Sequence, residues 1–345
     1  VKIAALSGML VAAAAKRGCE KLILGIQVPG SLYLNFLCGL DPKCWVENGW
    51  IDYIIQCDYN STDPQIPVKE FAAFCRDSHC THHVRMGNMM GSGGWTRKPH
   101  MTDRKTQFRN RLGYGGMVLT KEEARGAAAN IYGFGADGIG LWNLCCNMGE
   151  RHKPGKQLCN IPREDYRQDM LAWAKEVADP QKVLNNTRTY HYIPIYKSET
   201  YSRASYAVNQ LRLGPLGETL QIVIFYPKLQ GDRLVYHFRM FDGKDRQKLN
   251  GTLRVRILQS TLEDEFQFDI NGQVIDPKQV RAEAFADEEL PYVWYEADLA
   301  KCPPFASWNE LGMIMLSSYR PVELSKAQAA VYEPYPYMEE LIITV

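Results

Sequence analysis

Asp58 stands directly after a short apolar run, residues 51–57, in a chain whose first half contains four such runs. If that run is a parallel strand, Asp58 lies at its C-terminal end, where α/β proteins place reactive groups. It is the only acid at any of the four run ends. Arg85 falls in the next run, residues 82–86. A nearby guanidinium favours the charged carboxylate, which makes Asp58 a candidate nucleophile, base or hydrogen-bond acceptor rather than a general acid.

Strand alternation sorts the other polar side chains into faces. It places Ile23, Gly25 and Gln27 inward on the first run and Asp52, Ile54, Gln56 and Asp58 inward on the second. His83, Arg85 and Gly87 follow on the third, and Gly138, Gly140 and Trp142 on the fourth. Asn88 and Asn143 end the last two runs. Gln27, Gln56, Asp58, Arg85 and Trp142 then share one face, and amide, carboxylate and guanidinium groups beside an aromatic wall suit a sugar. Each residue also has a structural alternative. Asp58 could cap loop N–H groups, Arg85 could hold an ion pair within the fold, and Trp142 could be core. Gln27 and Gln56 could satisfy each other, and Asn88 and Asn143 are of a type common in turns.

Cys75, His79, Cys80, His82 and His83 are of zinc-ligand types, but Cys75 falls on a helix and His82 and His83 point to opposite faces of a strand. A tetrahedral site would need contrived geometry, so no metal is assigned. No Walker loop, dinucleotide glycine motif or nucleophile elbow occurs, and no cofactor is expected.

These residues need elements to hold them. Helices are expected over residues 1–16, 31–37, 42–47, 67–76, 121–132 and 164–178, with buried strands over 22–28, 51–57, 82–86 and 139–144. Thr120 is a suitable N-cap for the Ala-rich helix that follows, and Gly133 and Gly135 should stop it. Alternating helices and strands define a parallel α/β half, interrupted by a long loop over residues 91–116 that holds Trp95. From about Tyr190 the pattern changes to period two. Strands are expected over residues 220–226, 234–241, 252–258, 265–270, 292–298, 310–317 and 339–345, with Asn271-Gly272 as a hairpin turn. This defines a second domain, an antiparallel β-sandwich. The boundary falls between residues 1–189 and 190–345.

The chain has 345 residues and a net charge of +1, with charges mixed along its length. Nothing in that balance points to a nucleic-acid partner. No apolar run is long enough to span a bilayer, and residues 3–15 read as a helix rather than a signal peptide. Of ten cysteines, nine lie at or before Cys159, and most are expected to be buried free thiols. Sequons at Asn60, Asn185 and Asn250 are compatible with secretion, the compartment staying open. A sequence beginning at Val1 reads as one whose start is missing. Oligomeric state is not legible.

The stretches IQVPGSLYLNFLCGLDPKCWVENGWIDYII, TDPQIPVKEFAAFC, EEARGAAANIYGFGADGIGLWN and PYMEELIITV occur in an order and spacing that resemble a glycoside-hydrolase-like, family-10-like TIM-barrel protein with a C-terminal β-sandwich. The resemblance covers most of the chain. It implies strands five to eight of a (β/α)8 barrel, with the first four upstream of Val1, and a carbohydrate as partner. It also exposes a departure, since many such barrels carry their acid on strand four and their nucleophile on strand seven. Here strand seven ends in Gly87-Asn88-Met89-Met90, without a carboxylate. Catalysis does not follow from the family name. An O-glycosyl hydrolase would need a carboxyl group besides Asp58, about 5 Å away for retention or further for inversion, from the absent strands or from loop acids such as Asp103 or Glu150. The alternatives are a non-catalytic saccharide-binding protein and a structural or assembly protein with no active site.

Overall fold

The computed structural model describes residues 2–20, 22–57, 62, 64–87, 89–90, 117–141, 163–192, 223–243, 249–286, 291–317, 323–325 and 334–345. After helix α1 (Lys2–Lys16), strand β1 (Gly25–Pro29) leads to the short helices α2 (Leu32–Leu37) and α3 (Pro42–Glu47). Ser31 and Asp41 cap these two, each accepting a bond from a first-turn N–H. β2 (Tyr53–Cys57), α4 (Val68–Cys75) and β3 (Thr81–Met86) follow. Two-residue strands β4 (Met89–Met90) and β5 (Met117–Val118) then pair antiparallel across the base of the long loop, whose residues 91–116 lie outside the described set. Helix α5 (Lys121–Gly133) enters strand β6 (Gly138–Leu141) through Gly135, whose φ of +103° is a conformation that side chains disfavour. β1, β2, β3 and β6 form one parallel sheet in that order.

Helices α6 (Arg163–Val177) and α7 (Pro180–Asn185) pack against α5. Asp179-Pro180, directly after the helix expected over residues 164–178, begins another, because the Asp179 carboxylate accepts bonds from the Gln181 and Lys182 N–H groups. The chain then becomes β-rich, through β7 (Thr189–Tyr192), β8 (Leu234–Arg239), β9 (Thr252–Leu258), β10 (Phe266–Ile270), β11 (Gln273–Val274), β12 (Arg281–Ala286), β13 (Pro291–Asp298), β14 (Trp308–Met315) and β15 (Tyr337–Thr344). Two antiparallel sheets result, with orders β11-β10-β14-β8 and β12-β13-β9-β15-β7. The rings of Phe266 and Phe268 from one meet Tyr295 from the other, so the sheets pack face to face. The β10–β11 turn places both Asn271 and Gly272 at positive φ, as a type I′ hairpin requires. On β15, Leu341 and Ile343 are fully buried and Ile342 is half-buried on the opposite side, the expected alternation. Within residues 220–226, the described part makes only an isolated bridge from Ile224 to Tyr337.

The two halves share one core, and α5 lies at its centre. Every residue from Glu123 to Ile131 is buried, as expected of a helix enclosed on all sides. Its alanines join Val84 and Met86 of the parallel sheet to the core of the antiparallel sheets. At Gly126 the helix lies so close to the Thr189 carbonyl that a Cβ would collide with it. Asn130 donates to the carbonyls of Pro64 and Arg239 and accepts the Phe241 N–H, tying the β2–α4 loop, α5 and the second half together. Among the described residues no helix is long and apolar enough to cross a membrane.

Candidate functional site

The parallel sheet presents two unlike faces. Towards the helices point Val28, Ile54, Gln56, His82, Val84 and Met86, none more than 1% exposed. On the other face the register aligns three rows: Gly25, Tyr53 and Thr81; Gln27, Ile55, His83 and Gly138; Pro29, Cys57, Arg85 and Gly140. Here Gln27 is exposed, Arg85 is buried, and Tyr53, Ile55, Cys57, His83 and both β6 glycines are half-buried. The glycines make room for their neighbours. The Tyr53 ring lies where a Cβ of Gly25 would stand, and the His83 imidazole does the same at Gly138. Tyr53 and His83 meet edge to face with centroids 6.1 Å apart, and His83 Nε2 lies 3.1 Å from the Thr81 hydroxyl. Among the described residues, the nearest atom to a Cβ at Gly140, which pairs with Arg85, would be Ile55 Cγ2 at 4.0 Å.

Gln27 and Arg85 therefore share the expected face, together with Gly25, His83, Gly138 and Gly140. On β2 the assignment is reversed. Ile54 and Gln56, expected inward, face the helices, and Tyr53 and Ile55 take the other side. Gln56 is not a ligand-facing residue: its amide donates to the carbonyls of Gly30 and Pro67 at 2.7 and 3.2 Å and accepts from His82 Nε2 at 3.0 Å. Nor does it satisfy Gln27, which lies on the opposite face. A polar side chain in an alternating strand ordinarily marks the wetter side, but three partners from other segments make the burial of Gln56 on the drier side favourable. Asp58, Asn88, Trp142 and Asn143 lie outside the described residues, as do Trp95, Asp103 and Glu150.

The residues of the zinc-like cluster have other duties. His82 stacks on Phe71 of α4 with centroids 5.6 Å apart. Because both Gln56 amide hydrogens go to carbonyls, its oxygen must accept, and His82 Nε2 must carry the proton. Burial, only partly offset by the Asp137 charge, lowers the His82 pKa to about 4, so this imidazole is neutral. His83 lies across the sheet from it.

A second constellation was not anticipated. At the N-terminus of α5, Thr120 and Glu123 form a reciprocal capping box, with Thr120 N–H to Glu123 Oε2 at 2.8 Å and Glu123 N–H to Thr120 Oγ1 at 3.2 Å. The other Glu123 oxygen accepts from His191 Nδ1 on β7 at 2.6 Å. His191 Nε2 donates to Glu340 on β15 at 2.9 Å, and Glu340 accepts from Arg256 Nη1 on β9 at 2.9 Å. Arg256 Nε stands 3.1 Å from Glu339, and its guanidinium lies 3.8 Å from the Tyr292 ring centroid. All of these charged residues are buried. Burial opposes the His191 charge, but its bonds to Glu123 and Glu340 and their charges prevail and raise its pKa to about 9. Burial likewise pushes the Glu123 carboxyl up, and the His191 and Thr120 hydrogen bonds bring it below the ordinary value. The result is an imidazolium clamped between two carboxylates. It joins the helix that feeds β6 to three strands of the five-stranded sheet. The sequence carried one signal, adjacent acids Glu339-Glu340 inside an otherwise apolar strand; partners as distant as 149 positions left no other.

A scan against protein-family models finds no match to this chain, and no curated protein matches it.

Proposed function

We propose that the chain is a glycoside-hydrolase-like, carbohydrate-active protein that takes a saccharide against the glycine-flanked face of its parallel sheet. In this reading β1, β2, β3 and β6 correspond to strands five to eight of a (β/α)8 barrel, that face is the barrel interior, and the two antiparallel sheets are the accessory β-sandwich that braces it. The observation that carries the proposal is the composition of the face: Gln27, Tyr53, His83 and Arg85 beside Gly138 and Gly140. Amide, phenol, imidazole and guanidinium groups match sugar hydroxyls, an aromatic ring matches the sugar's apolar side, and Gly140 adds no side chain beside Arg85. Asp58, next in the chain after β2, is the proposed catalytic or ligand-orienting carboxylate by its position at the strand end, since the reversal on β2 withdraws the alternation that had put it on the face of Arg85. Asn88, Trp142 and Asn143, following β3 and β6, complete the proposed contacts.

A second reading, saccharide binding without hydrolysis, is favoured by one observation: no described residue in the three rows of this face is an acid. The variant Asp58→Asn separates the two when hydrolysis and binding of oligosaccharides are both measured on the full chain. Lost hydrolysis with retained binding is the result expected of an enzyme, and loss of both that of a binding protein. No change in either removes Asp58 from the site.

A further inference from the structure

Cys75 and Cys80 are the two ends of a six-residue segment, CRDSHC, that turns from α4 into β3. Ser78 tightens the turn from its middle. Its N–H and hydroxyl both donate to the Cys75 carbonyl, at 3.0 and 2.9 Å, and its hydroxyl accepts the Cys80 N–H at 3.0 Å. The ends are anchored on either side, Arg76 N–H by the Ala72 carbonyl of α4 and Thr81 N–H by the Asp52 carbonyl beside β2. The two side chains turn into the same apolar cluster, formed by Val28, Trp45, Val46, Ile51, Ile54 and Phe71, where they are 4% and 2% exposed. There the Cys80 thiol donates to the Thr81 carbonyl at 3.8 Å, and each thiol shifts the ionisation of the other.

From this geometry we infer that Cys75 and Cys80 are a redox pair, convertible to an intramolecular disulfide that staples the end of α4 to the start of β3. Two facing thiols bury polar S–H groups in a dry site; the disulfide has none. Their proximity favours ionisation at Cys80 and disfavours it at Cys75, so Cys80 is the first nucleophile. With a low-molecular-weight disulfide as oxidant, the Cys80 thiolate attacks one sulfur and releases one small thiolate. Cys75, on losing its proton, attacks Cys80 Sγ and releases the second. The protein loses two protons and two electrons, and the oxidant is reduced to two thiols. The site lies on the helix side of the sheet, away from the proposed saccharide face. Burial makes the reaction wait for local opening of the turn, so it should be slower than mixed-disulfide formation at exposed Cys19 and Cys38.

The test is incubation of the folded full chain with oxidised glutathione, followed by denaturation in alkylating reagent and peptide mapping. Cys75 and Cys80 should be recovered linked to each other, two hydrogen masses lighter and restored by dithiothreitol. Cys302, which is buried outside this cluster, should be alkylated. The variant Cys75→Ser should abolish the linked species. Full alkylation of both residues once Cys19 and Cys38 carry glutathione would overturn the inference, as would either residue linked to any other cysteine.

Discussion

His82 and His191 are equally buried, yet they carry opposite charge states. One sits between the parallel sheet and α4, the other between α5 and the five-stranded sheet. Burial alone would keep both neutral, and it does so at His82, whose ring partner is an uncharged amide. At His191 two carboxylates reverse the outcome. His82 thus rests on a neutral hydrogen bond to Gln56, whereas the junction relies on opposed charges that must be present together.

Removing the cation from the junction should have the largest effect. His191→Ala leaves Glu123 and Glu340 facing each other without their shared donor, and breaking a buried charge network this way costs about 3–5 kcal/mol. Urea unfolding measures it; a loss below about 1 kcal/mol would show that the junction relaxes without its cation. The matching change in the parallel half should be milder. His82→Leu deprives the Gln56 oxygen of its donor, an unsatisfied buried acceptor costing about 1–3 kcal/mol.

Stability against pH should separate the two histidines by sign. His191 holds its proton more tightly folded than unfolded, so its contribution is complete below the unfolded value of about 6.5 and is lost as pH rises through about 9. For His82 the folded pKa is depressed to about 4, so stability is lost as pH falls from about 6.5 towards 4, where only the unfolded chain takes the proton. Glu123, lowered in the fold, adds to the acid-side loss. NMR titration of the two imidazoles checks both, and a His191 ring that deprotonates near its ordinary value would contradict the clamp. The smallest effect is expected at the helix cap. Thr120→Ala should cost about 1 kcal/mol, because the Glu123 N–H loses the hydroxyl that accepts it, while the main-chain N–H of residue 120 still holds the Glu123 carboxylate. The His191 titration should stay close to that of the wild type, and a clearly lowered one would show that the Thr120 hydroxyl itself positions the Glu123 carboxylate.

The local parts of this arrangement were legible in the sequence. Thr120 followed three positions later by Glu123 marks the start of α5, and Asn271-Gly272 marks its hairpin. Each signal lies within a few residues of the structure it specifies. What was misread depended on distant partners. Gln56 looked like a wet-side amide because its partners, Gly30, Pro67 and His82, come from three other segments. Strand β7 holds only four residues, and its His191 acquires meaning from Glu123 and Glu340, 68 and 149 positions away. β12, RAEAFA, lacks the β-branched residues that signal a strand and is held by its pairing with β13. On the candidate face, alternation placed Gln27 and Arg85 together, whereas the rings that fill the space at Gly25 and Gly138 come from the neighbouring strands.

The central claim, a saccharide on that face, is tested most directly by filling the space at Gly140. Among the described residues a Cβ there meets nothing closer than 4.0 Å, so Gly140→Val should fold, with its Tm as the control, while placing a side chain beside Arg85. The measurement is isothermal titration of the full-length wild type and variant against a panel of neutral and acidic oligosaccharides. The account predicts that at least one binds the wild type and that the variant weakens it about tenfold or more, by placing a side chain where the sugar must lie. A wild type that binds none of the panel, or a variant that binds equally well, would contradict it.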